Sequence, residues 1–208
     1  MDDYITLEKE ANAEYIVQKS RFIGYACPVD SAEAAAAYVE KIRALHREAR
    51  HNVFAYTVQS PAYARFSDDG EPQGTAGKPV LEVVKKNGIE NCCVVVTRYF
   101  GGILLGTGGL VRAYSHTAKL AVEAAGPVRM RLCDTLEIRA DYSFYSGLLT
   151  LIPQSGGKIT NSEFAEDVLL TVEIPSLLTP AFEKQLTEQT NGRVSAAKTG
   201  ETYGKFAL

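Results

Sequence analysis

The stretch NCCVVVTRYFGGILLGTGGLVRAY, residues 91–114, gives the clearest indication of the fold. Residues 91–97 form a continuous apolar run, which is typical of a strand that is buried on both faces. Five glycines crowd the segment 101–109, and an apolar pattern with helical spacing over 108–125 follows it. The order of strand, glycine-rich loop and helix predicts a domain that mixes α and β structure.

Upstream of this stretch, the pattern predicts strands over 21–29 and 52–58, which enclose a helix that ends near Arg47. Residues 60–79 hold three glycines and three prolines, so they are predicted to form one long loop. A loop of that length inside a compact domain is usually functional or disordered.

Beyond residue 130 the predicted elements follow the order strand, helix, strand, strand, helix, strand. This order is that of a ferredoxin-like βαββαβ sandwich. The sequence therefore predicts an α+β protein with two domains, residues 1–132 and 133–208. The predicted elements of the second domain are 135–140, 143–153, 158–164, 168–174, 180–189 and 193–197.

Charge is unevenly spread along the chain. The formal net charge is −3, but residues 19–131 hold 15 Lys or Arg against 10 Asp or Glu. A local basic field attracts phosphates, although an imbalance of this size also occurs by ordinary scatter.

The four cysteines are expected to be reduced. They are Cys27, Cys92, Cys93 and Cys133, and none forms a CxxC pair. Adjacent strand residues point to opposite faces of a sheet, which argues against a disulfide or zinc site at Cys92 and Cys93. The chain has neither an apolar run of membrane-spanning length nor an N-terminal signal pattern, so a cytoplasmic protein without membrane contact is predicted.

The glycine-rich loop predicts an anion site. Glycine allows close approach of a ligand, and a helix that starts after such a loop presents free N–H groups and partial positive charge. The spacing matches neither the Walker loop nor the dinucleotide fingerprint, and a tight strand-to-helix connection is the alternative. The candidate phosphate-binding residues are Arg98, Gly101, Gly102, Gly106, Gly108, Gly109, Arg112, His116 and Lys119.

The helix after the loop carries its basic residues on one face. Arg112, His116 and Lys119 lie opposite an apolar face, which suits a phosphate backbone but also plain solvation. Three aromatic residues, Tyr63, Tyr99 and Phe100, are candidates for stacking on bases.

A second polar segment, RFSDDGEPQGTAGKP, spans residues 65–79. Oxygen-rich loops bind calcium or magnesium, but the spacing of a calcium loop is absent and Asp-Asp-Gly is also a common turn. We therefore predict no metal and no cofactor. The candidate polar residues of this loop are Ser67, Asp68, Asp69, Glu71 and Lys78.

His51 is a weak candidate for acid–base catalysis, because the reference pKa of histidine lies near neutrality. No GxSxG sequence and no assigned Ser-His-Asp arrangement accompany it. His46 and His51 lie five positions apart, whereas helical ligand pairs use a spacing of four, so a zinc site is not expected.

Three motifs together resemble the IMPACT family in its bacterial two-domain form: HNVFAYTV (51–58), RFSDDGEPQGTAGKP (65–79) and TRYFGGILLGTGGLVRAY (97–114). The resemblance covers essentially the whole chain. It implies an N-terminal domain similar to domain IV of elongation factor G and to related ribosomal-protein domains, and a C-terminal domain similar to domain V of that factor. It also implies a role close to translation, although such folds host enzymes as well.

Three hypotheses follow. The first is a non-enzymatic, translation-associated regulator that binds RNA or the ribosome through the basic, glycine-rich surface. The second is an enzyme for a small phosphorylated or peptide substrate, with His51 as the acid–base group and a divalent metal on Asp68, Asp69 and Glu71. The third is a protein-binding adaptor that docks through residues 134–208. Both chemical hypotheses require that the segments 65–79 and 97–112 meet in space.

Overall fold

The computed structural model describes residues 3–208. The chain forms two compact units, Tyr4–Arg129 and Met130–Phe206. Asp3 groups with the second unit, and Ala207–Leu208 group with the first.

The first unit is built on a five-stranded antiparallel sheet with the order β2-β3-β6-β4-β5. A short first strand, β1, forms a parallel bridge from Ile5 to Ile89. The strands are β1 (Tyr4–Leu7), β2 (Ala11–Val17), β3 (Ser20–Pro28), β4 (His51–Gln59), β5 (Ala62–Ser67) and β6 (Cys92–Tyr99).

Helices cover both faces of this sheet: α1 (Ala32–Leu45) packs on one, and α2 (Gly77–Lys86) and α3 (Gly106–Ala125) pack on the other. The cause is visible in β6, where Cys92 joins the core under α2 and α3, and Cys93 joins the core under α1. The predicted burial on both faces is therefore confirmed. Burial raises the pKa of Cys92 to about 12, so its thiol stays protonated.

The predicted loop over 60–79 is wrong in its first half. Residues 62–67 form β5, which pairs with β4 at the edge of the sheet. Five of its six residues are exposed, so the strand has no apolar alternation by which the sequence could reveal it.

The second unit has the predicted βαββαβ order; in its sheet β9 lies between β7 and β8 with antiparallel pairing, and β10 also pairs with β7. β7 is longer than predicted, with 14 residues, and the last strand, β10, is displaced: it covers Ala196–Phe206, whereas the prediction was 193–197. The elements are β7 (Pro127–Ala140), α4 (Tyr142–Gln154), β8 (Lys158–Phe164), β9 (Val168–Pro175), α5 (Thr179–Thr190) and β10 (Ala196–Phe206).

The core of the second unit lies between its sheet and its two helices. Leu148 and Ile152 of α4 and Phe182 and Leu186 of α5 pack with the buried residues of β7 and β9. Within residues 3–208 no helix is long and apolar enough to cross a membrane.

Candidate functional site

The segments 65–79 and 97–112 meet in the first unit through a buried network. Arg98 Nη1 donates to Glu71 Oε1 at 2.6 Å, and the hydroxyl of Tyr114 donates to the same oxygen at 2.8 Å. The side chains of Arg98 and Glu71 are 7% and 4% exposed. Burial, with the neighbouring carboxylate of Glu71 as a further cause, raises the pKa of Tyr114, so its hydroxyl remains a donor.

Arg98, one of the predicted phosphate ligands, is buried in this network. Its guanidinium lies over the rings of Phe22 and Phe100, at 5.4 and 5.5 Å from their centroids. A buried charge needs its partner close by, and Glu71 supplies that partner. Arg98 is therefore an internal cation of the domain rather than an exposed one.

The acidic residues of the segment 65–79 accept hydrogen bonds from different backbone and side-chain donors. Asp68 accepts hydrogen bonds from the backbone amides of Gly74, Ala76 and Gly77 at 2.8, 3.1 and 2.8 Å. It thereby closes the loop and supplies acceptors to the otherwise uncapped start of α2.

Asp69 accepts from Arg43 Nη2 at 2.8 Å and from the amide of Asn52 at 2.6 Å. Ser67 Oγ accepts from the amide of Asp69 at 3.1 Å, whereas Lys78 is exposed, 4.0 Å from Glu82. Across residues 3–208 no group of three ligating side chains is arranged to hold a metal. The three carboxylates that the second hypothesis assigns to a metal are not grouped around one point, because each accepts hydrogen bonds from different partners.

Replacing Asp68 with asparagine is expected to lower the free energy of unfolding by about 2 kcal/mol, since an amide group cannot accept all three charge-assisted bonds. Urea unfolding measures this loss. The matched control is Asp30→Asn, where the exposed carboxylate accepts a hydrogen bond from the Ser31 hydroxyl, and there we expect a change of about 0.5 kcal/mol at most. Equal losses in the two variants would contradict a closing role for Asp68.

His51 lies at the start of β4, directly opposite Arg98 in the β4–β6 ladder. Its Nδ1 is 2.8 Å from the carbonyl oxygen of Asp69. A carbonyl only accepts, so Nδ1 carries the proton and Nε2 is left as the acceptor of the neutral ring. A Cβ on Gly70 would lie 3.4 Å from the ring, so the loop packs closely on His51.

A groove of about 660 Å³ lies between α2, α3 and β2. Three predicted phosphate ligands line it: Arg112, His116 and Lys119. Lys86, in the last turn of α2, joins them and was missed by sequence reasoning, because only the packing of α2 beside α3 brings it there. We call this the basic groove, and its lining is Tyr15, Val83, Lys86, Asn87, Val111, Arg112, Ser115, His116 and Lys119.

The glycines of the loop differ in their structural roles. Gly101 passes against the backbone of Lys19 and Ser20, whereas Gly102 and Gly106 have φ of +83° and +67°. Gly108 and Gly109 lie in the first turn of α3, which starts at Gly106, two residues before the predicted position, and carries no side-chain cap.

The three predicted stacking residues do not gather at the basic groove, and none of them lines it. Tyr63 lies on the edge strand β5, next to Tyr56. The Tyr99 hydroxyl is 2.9 Å from Nδ1 of His46, and only Phe100 presents a half-exposed ring beside Arg98.

Burial, with Arg21 as a second cause, lowers the pKa of His46. Its neutral ring bridges the hydroxyls of Tyr99 and Tyr25, the latter 2.6 Å from Nε2. This histidine thus connects α1 to the sheet.

Two family models match the sequence. One, described as the Impact N-terminal domain, matches residues 18–122, and the other, described as a domain of unknown function (DUF1949), matches residues 138–193.

Curated relatives match along nearly their whole length. The IMPACT family member YvyE of Bacillus subtilis (strain 168) is 36% identical over 210 residues, which cover 100% of this chain and 96% of the relative. The IMPACT family member YigZ of Escherichia coli (strain K12) is 40% identical over 179 residues, which cover 85% and 88%. A crystal structure described as that of a hypothetical protein is 35% identical, with a TM-score of 0.61 and coverage of 96% and 98%.

Proposed function

The chain belongs to the IMPACT family, and we propose that it binds RNA through the basic groove of its first unit. The observation that carries this proposal is the convergence of four basic side chains on one groove: Lys86, Arg112, His116 and Lys119. Phosphate contacts of this kind give most of the affinity of sequence-independent binding to nucleic acids.

The polar, nitrogen-bearing side chains of α3 are spaced to follow a phosphate backbone. Arg112, His116 and Lys119 stand at positions i, i+4 and i+7 of one helix face. At 1.5 Å per residue they span about 10 Å, which corresponds to about three steps of a strand that rises 3.4 Å per nucleotide along a duplex. A row of this length supports contact with successive phosphates rather than with a single ion.

Most of these charges are available to a ligand. Among residues 3–208, neither Lys86 nor Arg112 forms an ion pair with a carboxylate, whereas Lys119 Nζ is 3.6 Å from Glu123. Both side chains of this ion pair are exposed, so the pair contributes little to stability and can open. The Tyr15 ring meets His116 edge to face at 4.6 Å and orients the imidazole beside the groove.

We expect the double variant Arg112→Gln/Lys119→Gln to bind RNA about tenfold more weakly at moderate salt. The slope of log affinity against log salt should become shallower by roughly 1.4, since each lost phosphate contact on a single strand removes roughly 0.7. Filter retention with a labelled RNA over a salt series measures both quantities.

The matched control is Lys78→Gln/Lys184→Gln. Both lysines are exposed, each is 4.0 Å from a glutamate one helical turn away, and neither lines the basic groove. The control removes the same net charge, so it should retain nearly the affinity of the unaltered protein. An equal loss in both double variants would mean that overall charge, rather than this groove, carries the binding. Absence of binding at low salt would refute the proposal.

A further inference from the structure

A second cavity, of about 430 Å³, opens in the first unit where β4 begins and β6 ends. We propose that it binds the phosphate monoester of a small planar compound, with a nucleoside monophosphate as the representative ligand. Its volume lies in the usual range for small-molecule sites. We call it the His51 pocket, and its lining is Glu48, Arg50, His51, Arg98, Tyr99 and Phe100. It shares no residue with the basic groove.

His51 offers the first polar contact. The carbonyl of Asp69 holds the proton on Nδ1, so Nε2 is the free nitrogen of a ring whose position is also restricted by Gly70. Nε2 of the neutral ring accepts a hydrogen bond from the P–OH of a phosphate monoanion, and a protonated ring donates to the dianion. Both ionic forms of a phosphate monoester occur near neutrality.

Arg98 supplies the second polar contact. His51 and Arg98 are directly opposite each other in the ladder, so their side chains share one face of the sheet. Nη1 of Arg98 is engaged by Glu71, but Nε is buried without a hydrogen-bond partner among residues 3–208. A buried donor without a partner is costly and rare, and an anion in the pocket would satisfy it.

Phe100 lies beside this guanidinium. Its ring centroid is 5.5 Å from the central guanidinium carbon of Arg98, and the residue is 52% exposed. A planar ligand can stack on its exposed face. The second aromatic residue, Tyr99, is held by its hydrogen bond to His46. These two rings favour a ligand that carries a flat group as well as a phosphate.

Two surface residues of opposite charge line the pocket, and they predict opposite effects on ligand binding. Arg50 is exposed and forms no ion pair with any of residues 3–208, so it is free to meet an anion. Glu48 is the one carboxylate of the pocket lining, and it would oppose an anion. Removing Arg50 should therefore weaken binding, whereas removing Glu48 should strengthen it.

The test is a titration with adenosine 5′-monophosphate, followed by calorimetry and by the imidazole NMR signals. The chain has only three histidines, and they occupy three different places: His46 between two tyrosines, His51 in the pocket and His116 in the basic groove. The His51 signal should shift on titration, while those of His46 and His116 remain in place.

We expect Arg50→Gln to weaken binding of adenosine monophosphate about tenfold, because it removes a charge-assisted hydrogen bond, and Glu48→Gln to tighten it severalfold. The matched control is Arg47→Gln, an exposed arginine three positions away that does not line the pocket. All three are surface substitutions, so the variants should fold. Adenosine should bind much more weakly than its monophosphate.

Several results would overturn the assignment: a shift of the His116 signal instead of the His51 signal, equal binding of adenosine and its monophosphate, or equal effects of Arg50→Gln and Arg47→Gln.

The phosphate monoester could belong to a free nucleotide or to the end of an RNA strand. Titration with RNA that carries either a 5′-phosphate or a 5′-hydroxyl distinguishes these two sources. A His51 shift only with the phosphorylated end identifies an RNA terminus, whereas a shift only with the free nucleotide identifies a metabolite. Loss of RNA binding in the groove variants leaves the His51 titration unaffected, so the two proposals fail separately.

Discussion

Arg98→Ala is expected to lower the free energy of unfolding by about 4 kcal/mol, because it leaves the carboxylate of Glu71 buried without its cation. Both side chains are more than nine-tenths buried, and the Nη1–Oε1 distance is 2.6 Å. The Tyr114 hydroxyl would remain as a donor to Glu71, but a single neutral hydrogen bond does not replace an ion pair. Equilibrium unfolding in urea measures the change.

The matched control is Arg21→Ala, which breaks an ion pair of similar length, 2.7 Å, whose side chains are 51% and 40% exposed. An exposed pair contributes about 1 kcal/mol or less, so this variant should stay close to the original stability. Equal stability losses in the two variants would contradict a structural role for the Arg98–Glu71 pair. If Arg98→Ala destabilises the domain as expected, weaker RNA binding by that variant does not by itself indicate that Arg98 contacts RNA.

Gly101→Ala is expected to cost about 3 kcal/mol or to displace the loop, because overpacking against a rigid neighbour is strongly destabilising. A Cβ at this position would overlap the carbonyl group of Lys19 and the amide nitrogen of Ser20. These are backbone atoms, so no side-chain rotation relieves the clash. The hydrogen bond from the Gly101 amide to Ser20 Oγ, 3.1 Å long, would also be strained.

Thermal unfolding followed by circular dichroism measures this effect. Gly200→Ala is the matched control, since no other atom of residues 3–208, its two chain neighbours apart, lies within 4 Å of the added Cβ, and its φ needs no glycine. The control should be neutral, because alanine is at least as favourable as glycine inside a strand. A tolerated Gly101→Ala would mean that the loop does not rest on the turn between β2 and β3.

Much of the fold could be predicted from local patterns. The apolar run over 91–97 indicated a strand that is buried on both faces, and Cys92 and Cys93 do lie in different cores. The βαββαβ order of the second unit could be read from periodicity and turn residues alone. Strand β5 could not, because a strand exposed on both sides has neither an alternating nor a continuous apolar pattern.

The candidate sites were predicted less completely. The stripe of Arg112, His116 and Lys119 follows from helical periodicity, and the structure places all three along one groove. Lys86 is 26 positions before Arg112 in the chain, and only the packing of α2 against α3 brings it to the same groove. Arg98 looked like a surface cation because sequence spacing does not report depth. The register of β6 instead places it between Phe22 and His51, where it is buried against Glu71.

Periodicity, turn residues and glycine positions act over a few neighbouring residues, so they were enough to predict the type of each segment. They specified an α+β chain, a glycine-rich connection before a basic helix, and an acidic loop. Which charges are available depends instead on long-range packing. This packing paired Arg98 with Glu71, used Asp68 and Asp69 to close a loop, and left Arg50 and Arg112 unpaired within residues 3–208. The free-energy cost of a charged side chain depends on how deeply it is buried and on its partner. Strand register and helix packing set both of these between residues that are far apart in the sequence.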